Sequence, residues 1–535
     1  MAEQVVIAPL VVALATAITT LFVRPVPRVE RAVSLAGALA YLGAVGWLVV
    51  AVADGTLVYQ LSGWPAPFGI TLVADALSTL LLGLAAVVSL ASVVFATRFI
   101  AAAAERAPYH PLYHFMIVGV TGSFLTGDLF NLFVWFEVML LSSYVLVVFY
   151  SGPEHTHAAL VYVVLNLFGS AVMLLAIGGL YAVTGTLNMA DMARRLADPG
   201  AFGIDPAPVL GLAALLFAVF ALKAGFVPFQ FWVPAAYRAA PAPVAAVLAG
   251  VVKKVGVYAI VRLWFTVFAA AALPGELALP GLAGDSVLAF FGPVLFVVAA
   301  ASILLGGIGA LSRETFDGVL AHSSIGQIGF VALPLGVAAS APPEVRALGV
   351  AAALVYALNH GLAKSILFLA SGAIERSVGT VRFAGLGGLA DRRPLLSVAA
   401  LAGALALIGI PPLSGFFGKL LVFDAAGRAG AILGGGSAGG AGGALALGIS
   451  LLGAILTIAY FTRAWNRGFW GPQSEAVRAS TRPTVLVAVV AVLAGSLLVV
   501  GIAFEPVMAA ANAAADAALD RGAYVDAVDP GVAGG

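Results

Sequence analysis

The chain has no cysteine among its 535 residues. Disulfides, thiolate metal sites, Cys-ligated iron–sulfur clusters and cysteine nucleophiles are therefore excluded, and any redox chemistry belongs to another molecule. Charge is also scarce: Asp, Glu, Lys and Arg make up 10% of the residues, against roughly 25% in an ordinary soluble domain. The formal net charge is +1 and no Lys/Arg-rich run occurs, so the chain offers no field for nucleic acid. P-loop and paired-carboxylate hydrolase patterns are missing too.

What fills the chain is apolar: 62% of residues are hydrophobic and the mean hydropathy is +1.09. Soluble cores bury less than this, whereas each helix crossing a ~30 Å hydrocarbon layer takes ~20 apolar residues. The runs are continuous and lack period-2 alternation, which argues against a membrane β-barrel. The expected fold is an all-α polytopic membrane protein with about 14 transmembrane helices. The runs lie at 4–23, 32–53, 72–97, 111–127, 129–150, 159–184, 208–238, 243–268, 288–311, 318–340, 346–374, 395–427, 442–465 and 483–506. The first, Val5–Val23, lacks a basic leader and a small-residue cleavage site, and reads as a retained span.

Of 26 basic residues only five are lysine, Lys223, Lys253, Lys254, Lys364 and Lys419, and each lies inside a hydrophobic run. The 21 arginines lie in connections or at span ends. Fifteen fall on one side, from Arg24 and Arg28 to Arg478 and Arg482, and six on the other, Arg194, Arg195, Arg262, Arg346, Arg428 and Arg521. The arginine-rich side is expected to be cytoplasmic, with both termini outside and 507–535 an external polar tail.

Two runs carry helix breakers: Pro228 and Pro234 in FALKAGFVPFQFWVP, and Pro411 and Pro412 in LALIGIPPLSGFFGKLLVF. Proline removes a donor, and broken backbone at membrane depth needs protein or water to satisfy it. Gly225 aligns with Gly409 and Pro228 with Pro412, five spans apart. This predicts two inverted five-helix repeats, 111–268 (spans 4–8) and 288–465 (spans 9–13), following N-terminal spans in 1–110 and followed by a span at 483–506.

A charge at the bilayer centre costs on the order of 3 kcal/mol on insertion scales, so buried ionisable residues need a reason to be kept. Glu137 has no other charge within eight residues; Asp75, Asp128 and Asp424 sit nearer span ends, where water is expected to reach them. Lysine can lose its proton inside a protein and arginine cannot, so a proton relay calls for lysine. His360 and Lys364 are four apart, on one helix face, and His322 lies beside Ser323, Ser324 and Gln327. Together these groups are expected to form a polar axis. Single buried polar residues also join helices, an alternative that five lysines with none elsewhere make much weaker. Lys253 and Lys254 point about 100° apart, so only one of them can line a common path. Glu154, His155 and His157 read as a solvated loop without metal-ligand spacing, and Gly434–Gly443 as a linker with no preceding strand to make it a nucleotide site.

At these residues the sequence resembles the antiporter-like subunits shared by proton-pumping NADH:quinone oxidoreductase, membrane-bound hydrogenases and Mrp-type cation/proton antiporters. FVWFEVMLLSSY resembles the family's fifth helix with its glutamate at Glu137, and ALKAGFVPFQFWVPAAYRAAPAPVAAVLAGVVKKVGVY its broken seventh and its eighth helix. The resemblance places functional lysines at Lys223 and Lys254, leaving Lys253 without a role. LNHGLAKSILFLASGAI is similar to the eleventh helix, with His360 and Lys364, and GIPPLSGFFGKLLVF to the broken twelfth with Lys419. Gly63–Ser78 and the twelfth-helix lysine resemble the D-type subunits of Mrp antiporters most. Gln327 departs from a histidine found in many respiratory relatives. The resemblance implies a proton-translocating subunit of a multisubunit Na⁺/H⁺ antiporter, or alternatively a proton-pumping subunit of a respiratory or hydrogenase complex. It also implies a prokaryotic cell membrane, hydrophobic partner subunits, and proton passage along Glu137, Lys223, Lys254, His322, His360, Lys364 and Lys419. No bound cofactor or metal is expected, and with no cluster of hard oxygen ligands in the sequence, Na⁺ is expected to bind mainly in a partner subunit.

Overall fold

A computed structural model describes residues 4–100, 108–272, 286–429, 441–529 and 531; the expected linker at Gly434–Gly443 lies outside these as far as residue 440. Among the described residues, 12 helices are long and apolar enough to cross a membrane. They include α1 (Gln4–Val23), α2 (Pro27–Ala51), α3 (Ala76–Phe99), α5 (Leu129–Val147), α6 (Pro153–Thr184), α8 (Ala207–Ala224) and α10 (Ala242–Val267). Beyond these come α11 (Val287–Leu311), α12 (Phe316–Ser340), α13 (Pro343–Val378), α16 (Ala441–Gly468) and α17 (Thr484–Ile502). The fourth expected run is a helix of 17 residues, α4 (Tyr109–Leu125). The twelfth is interrupted, as α14 (Pro394–Ile408) and α15 (Ser414–Gly427).

Three parts depart from the expectations. The connection after α2 holds an antiparallel hairpin, β1 (Leu57–Gln60) and β2 (Thr71–Ala74), in register from Leu57 opposite Ala74 to Gln60 opposite Thr71. Its β-branched residues suit the pleat, and Gly63 takes a φ of 74° in the loop. A short amphipathic helix, α7 (Met189–Ala197), is capped by Asn188 and carries Asp191 bonded to Arg194 and Arg195. The segment expected as a polar tail is folded: α18 (Phe504–Leu519) and α19 (Arg521–Val528) follow α17. Ala511, Ala514, Ala515 and Ala518 bury one face of α18, which packs on α3 and α13. Alanine at these spacings lets helices approach closely, which a count of acidic residues does not reveal.

Asp75 and Asp128 also differ from the expectation of water contact. Asp75 is 2% exposed, caps α3 through Ser78 N–H, and accepts a hydrogen bond from the buried Arg262 of α10. Asp128 is 8% exposed and caps α5 through Asn131 N–H at 2.7 Å. A carboxylate at a helix N-terminus is stabilised by free backbone donors, so both acids serve the helices they precede. Asp424 pairs at the surface with Arg428 at 2.8 Å.

Candidate functional site

Both proline-bearing breaks start on a glycine whose backbone few other residues tolerate. Gly225 (φ 71°) ends α8 and Gly409 (φ 93°) ends α14, both in the left-handed region. Each break folds back by one residue in the same way, Phe226 N–H bonding Ala221 O and Ile410 N–H bonding Leu405 O. Past the first break, helix resumes as α9 (Trp232–Ala239). The freed backbone groups find protein partners: Trp232 Nε1 donates to Leu222 O at 2.8 Å, and Val227 N–H to Ser302 Oγ at 3.0 Å. Such pairing is what irregular backbone at membrane depth requires. Pro228, Pro411 and Pro412 lie in these breaks, whereas Pro234 lies in the first turn of α9.

All five lysines are between 0% and 3% exposed. Lys223, two residues before the first break, donates to Ser170 Oγ at 3.2 Å and to Asn166 O at 3.4 Å. The same Ser170 hydroxyl donates to Glu137 Oε1, so one serine stands between carboxylate and ammonium. Glu137 itself is half-buried.

Of the adjacent pair Lys253 and Lys254, Lys253 makes the contacts that cross between helices. Its Nζ donates to Ser324 O of α12 at 3.0 Å and lies 6.0 Å from the Tyr237 ring centre; a Cβ on Gly225 would sit 3.4 Å from it, so it faces the first break. Lys254 bonds back to Ala249 O at 2.7 Å, inside Leu248–Val252, a π-helical stretch whose bonds span five residues instead of four. Lys364 of α13 donates to Leu320 O at 2.8 Å and to Ser323 Oγ at 2.5 Å. Neighbouring serines of α12 therefore receive Lys253 and Lys364.

His360 is buried, with no hydrogen-bond partner on either ring nitrogen among the described residues. Lys419 likewise lacks a hydrogen-bond partner among them, and its Nζ lies 4.7 Å from the Phe330 ring centre. His322 is not brought to this series. It is half-buried, its Nδ1 donates to Gly318 O at 3.0 Å, and its ring lies against Gly309. Gln327, one and a half turns further along α12, stands inside: it donates to Thr457 at 3.0 Å and Tyr460 at 2.8 Å, and accepts from Tyr356. Asn359 accepts from Ser414 at 2.9 Å across the second break. Ser170 and Tyr356 carry no sequence signal that sets them apart from helix-packing residues; only their lysine and glutamine partners mark them.

A cavity of about 650 Å³ opens at the arginine-rich side, lined by Glu154, His155, His157, Arg238 and Glu375. His155 is in the first turn of α6, not in a loop, and meets Ala239 O at 3.0 Å. Glu375 follows Lys364 by eleven residues, about three turns, and so shares its face of α13.

The chain is thus a polytopic helical membrane protein whose lysines are buried against neutral groups, with two broken helices. The chain belongs to the NADH:quinone oxidoreductase/Mrp antiporter transmembrane family, whose model matches residues 126–436. It is 33% identical to the D subunit of the Na(+)/H(+) antiporter of Alkalihalophilus pseudofirmus, covering 92% of this chain and 94% of that one. It is 31% identical to the Bacillus subtilis protein of the same name, covering 98% and 99%. Among solved structures, a chain of the Mrp complex from Dietzia sp. DQ12-45-1b superposes with a TM-score of 0.82 at 28% identity, covering 98% of this chain and 99% of that one. A chain of the archaeal membrane-bound sulfane sulfur reductase superposes at 0.84 with 25% identity, covering 98% and 100%.

Proposed function

We propose that the chain is the proton-translocating subunit of a multisubunit Na⁺/H⁺ antiporter in a prokaryotic cell membrane. The observation that carries this is the setting of the lysines. Four of them hydrogen-bond only neutral atoms, Lys419 has no hydrogen-bond partner among the described residues, and no lysine there forms an ion pair. A fixed buried charge requires a paired counter-ion to be stable; groups without one suit a site that takes up and releases a proton. Protons pass from Glu137 through Ser170 to Lys223, cross the first break to Lys253 and Lys254, and continue by Lys364 and His360 to Lys419. In this reading 111–268 and 288–465 are inverted halves, supported by the matching backbone at Gly225 and Gly409. Na⁺ binds mainly in a partner subunit, and both termini face outward.

Exchange in vesicles carrying the whole complex tests this. Glu137→Ala and Lys223→Ala are each expected to abolish Na⁺-driven proton movement with the complex assembled, and wild-type exchange in both variants contradicts the relay. The likeness to a sulfane sulfur reductase chain supports a second reading, a proton-pumping component powered by electron transfer. Copurification with flavin and iron–sulfur subunits favours it, and copurification with small hydrophobic subunits alone favours the antiporter.

A further inference from the structure

Outside the lysine series lies a second group of buried titratable side chains. Ser34 of α2 faces two histidines one turn apart on α4: its Oγ is 2.9 Å from His110 Nδ1 and 2.8 Å from His114 Nε2. All three are between 0% and 3% exposed, and His110 Nε2 has no partner among the described residues. His110 is in the first turn of α4, at the end where Arg24, Arg28, Arg31 and Arg98 gather. Further along the same helices, Tyr113 donates to Ser89 O at 3.1 Å and Tyr41 meets Thr121 at 2.8 Å.

A hydroxyl has one proton and two lone pairs, so between two neutral imidazoles it donates to one ring and accepts from the other. That arrangement has the connectivity to pass a proton. A proton taken up at His110 Nε2 leaves the ring from Nδ1 to Ser34 Oγ; the N–H bond breaks as an O–H bond forms, and the former hydroxyl proton passes to His114 Nε2. One proton enters and one ring ends protonated. Joining two helices needs only one such bond, whereas a shared serine with a buried, unpaired ring nitrogen beyond it is costly unless that nitrogen is used.

We propose that His110, Ser34 and His114 form a proton-binding relay at the arginine-rich end of α2 and α4, separate from the Glu137–Lys419 series. Its influence on exchange rests on the transport reading above; its binding of a proton does not. The groups that set its charge are Glu30 and Arg31 on α2, Tyr109 and Tyr113 on α4, Arg98 at the exposed end of α3, and Tyr150 beyond α5, next to the Phe149 that packs on Tyr109. Helix α1 brings none.

Two measurements on the assembled complex in vesicles decide it. In the pH profile of Na⁺-driven exchange, normalised to assembled chain, Ser34→Ala is expected to move the midpoint by about half a pH unit or more, with Ser34→Thr restoring it. A Ser34→Ala profile matching wild type, while Glu137→Ala abolishes exchange, overturns the relay and leaves the transport reading standing. Infrared difference spectra between about pH 3 and 8 follow imidazole protonation whether or not exchange occurs. A histidine signal that Ser34→Ala displaces supports the relay even if Glu137→Ala exchanges normally, and a signal unaffected by Ser34→Ala overturns it.

Discussion

At the scale of single residues, Ser170 holds the only hydrogen-bonded link between Glu137 and Lys223 among the described residues. Ser170→Ala removes the hydroxyl that bridges the two groups, so exchange is expected to fall by about 10²-fold or more, the range in which positioned proton-transfer groups act. Ser170→Thr keeps the hydroxyl and is expected to retain most of the rate; initial rates in vesicles with equal assembled complex check both. Lys253 makes the cross-helix contacts, and Lys253→Ala is expected to impair exchange at least as much as Lys254→Ala. The same rate assay checks this order, which the family resemblance reverses. The lysines were legible in the sequence because residue choice, Lys inside the runs and Arg outside, is itself a signal. Ser170, the serine partner of Lys223, was not, since a serine in an apolar helix looks the same whether it meets its own backbone, as Ser142 does at Val138 O, or a charged group. His322 and Gln327 show the limit: both are polar, both sit on α12, and only the direction each faces separates them.

At the scale of elements, close approach depends on glycine. A Cβ on Gly306 of α11 would lie 2.1 Å from Gly326 N of α12, with backbone on both sides and no flexible atom to yield. Gly306→Val is expected to push α11 from α12 and lower the amount of chain in the membrane, measured by immunoblot; overpacking of this kind costs about 1–3 kcal/mol or more. Gly409→Ala meets a left-handed backbone, a strain of about 1–2 kcal/mol, and is expected to lower the melting temperature of the solubilised complex. The breaks were readable from Pro228, Pro411 and Pro412. The hairpin 57–74 and the helix 504–519 were not: four-residue strands are too short for a periodic signal, and the Ala-rich α18 gains its stability from packing on α3 and α13.

At the scale of the whole molecule, the C-terminal helices close over a buried ion pair. Arg262 bonds Asp75, and Tyr524 of α19 lays its ring 4.7 Å from the guanidinium, while Thr266 donates to Ala518 O at 2.7 Å. Burial pushes the Tyr524 hydroxyl up, well out of the physiological range, so it stays neutral beside the pair. Arg262→Leu alone strands a buried carboxylate and is expected to cost about 3–5 kcal/mol. Adding Asp75→Asn, which keeps an acceptor for Ser78 N–H, is expected to recover much of it. Thermal unfolding of the two variants checks the coupling. Residues 75, 262 and 524, far apart in the sequence, are thereby held in one cluster.

In the proposed function the buried lysines carry protons and do not merely join helices. Lys364→Met tests it most directly, because methionine is similar in length and apolar but holds no proton, so the space between α13 and α12 stays filled. In proteoliposomes containing the purified complex, the variant is expected to assemble fully and show no Na⁺-driven proton exchange. Wild-type exchange by Lys364→Met contradicts the claim.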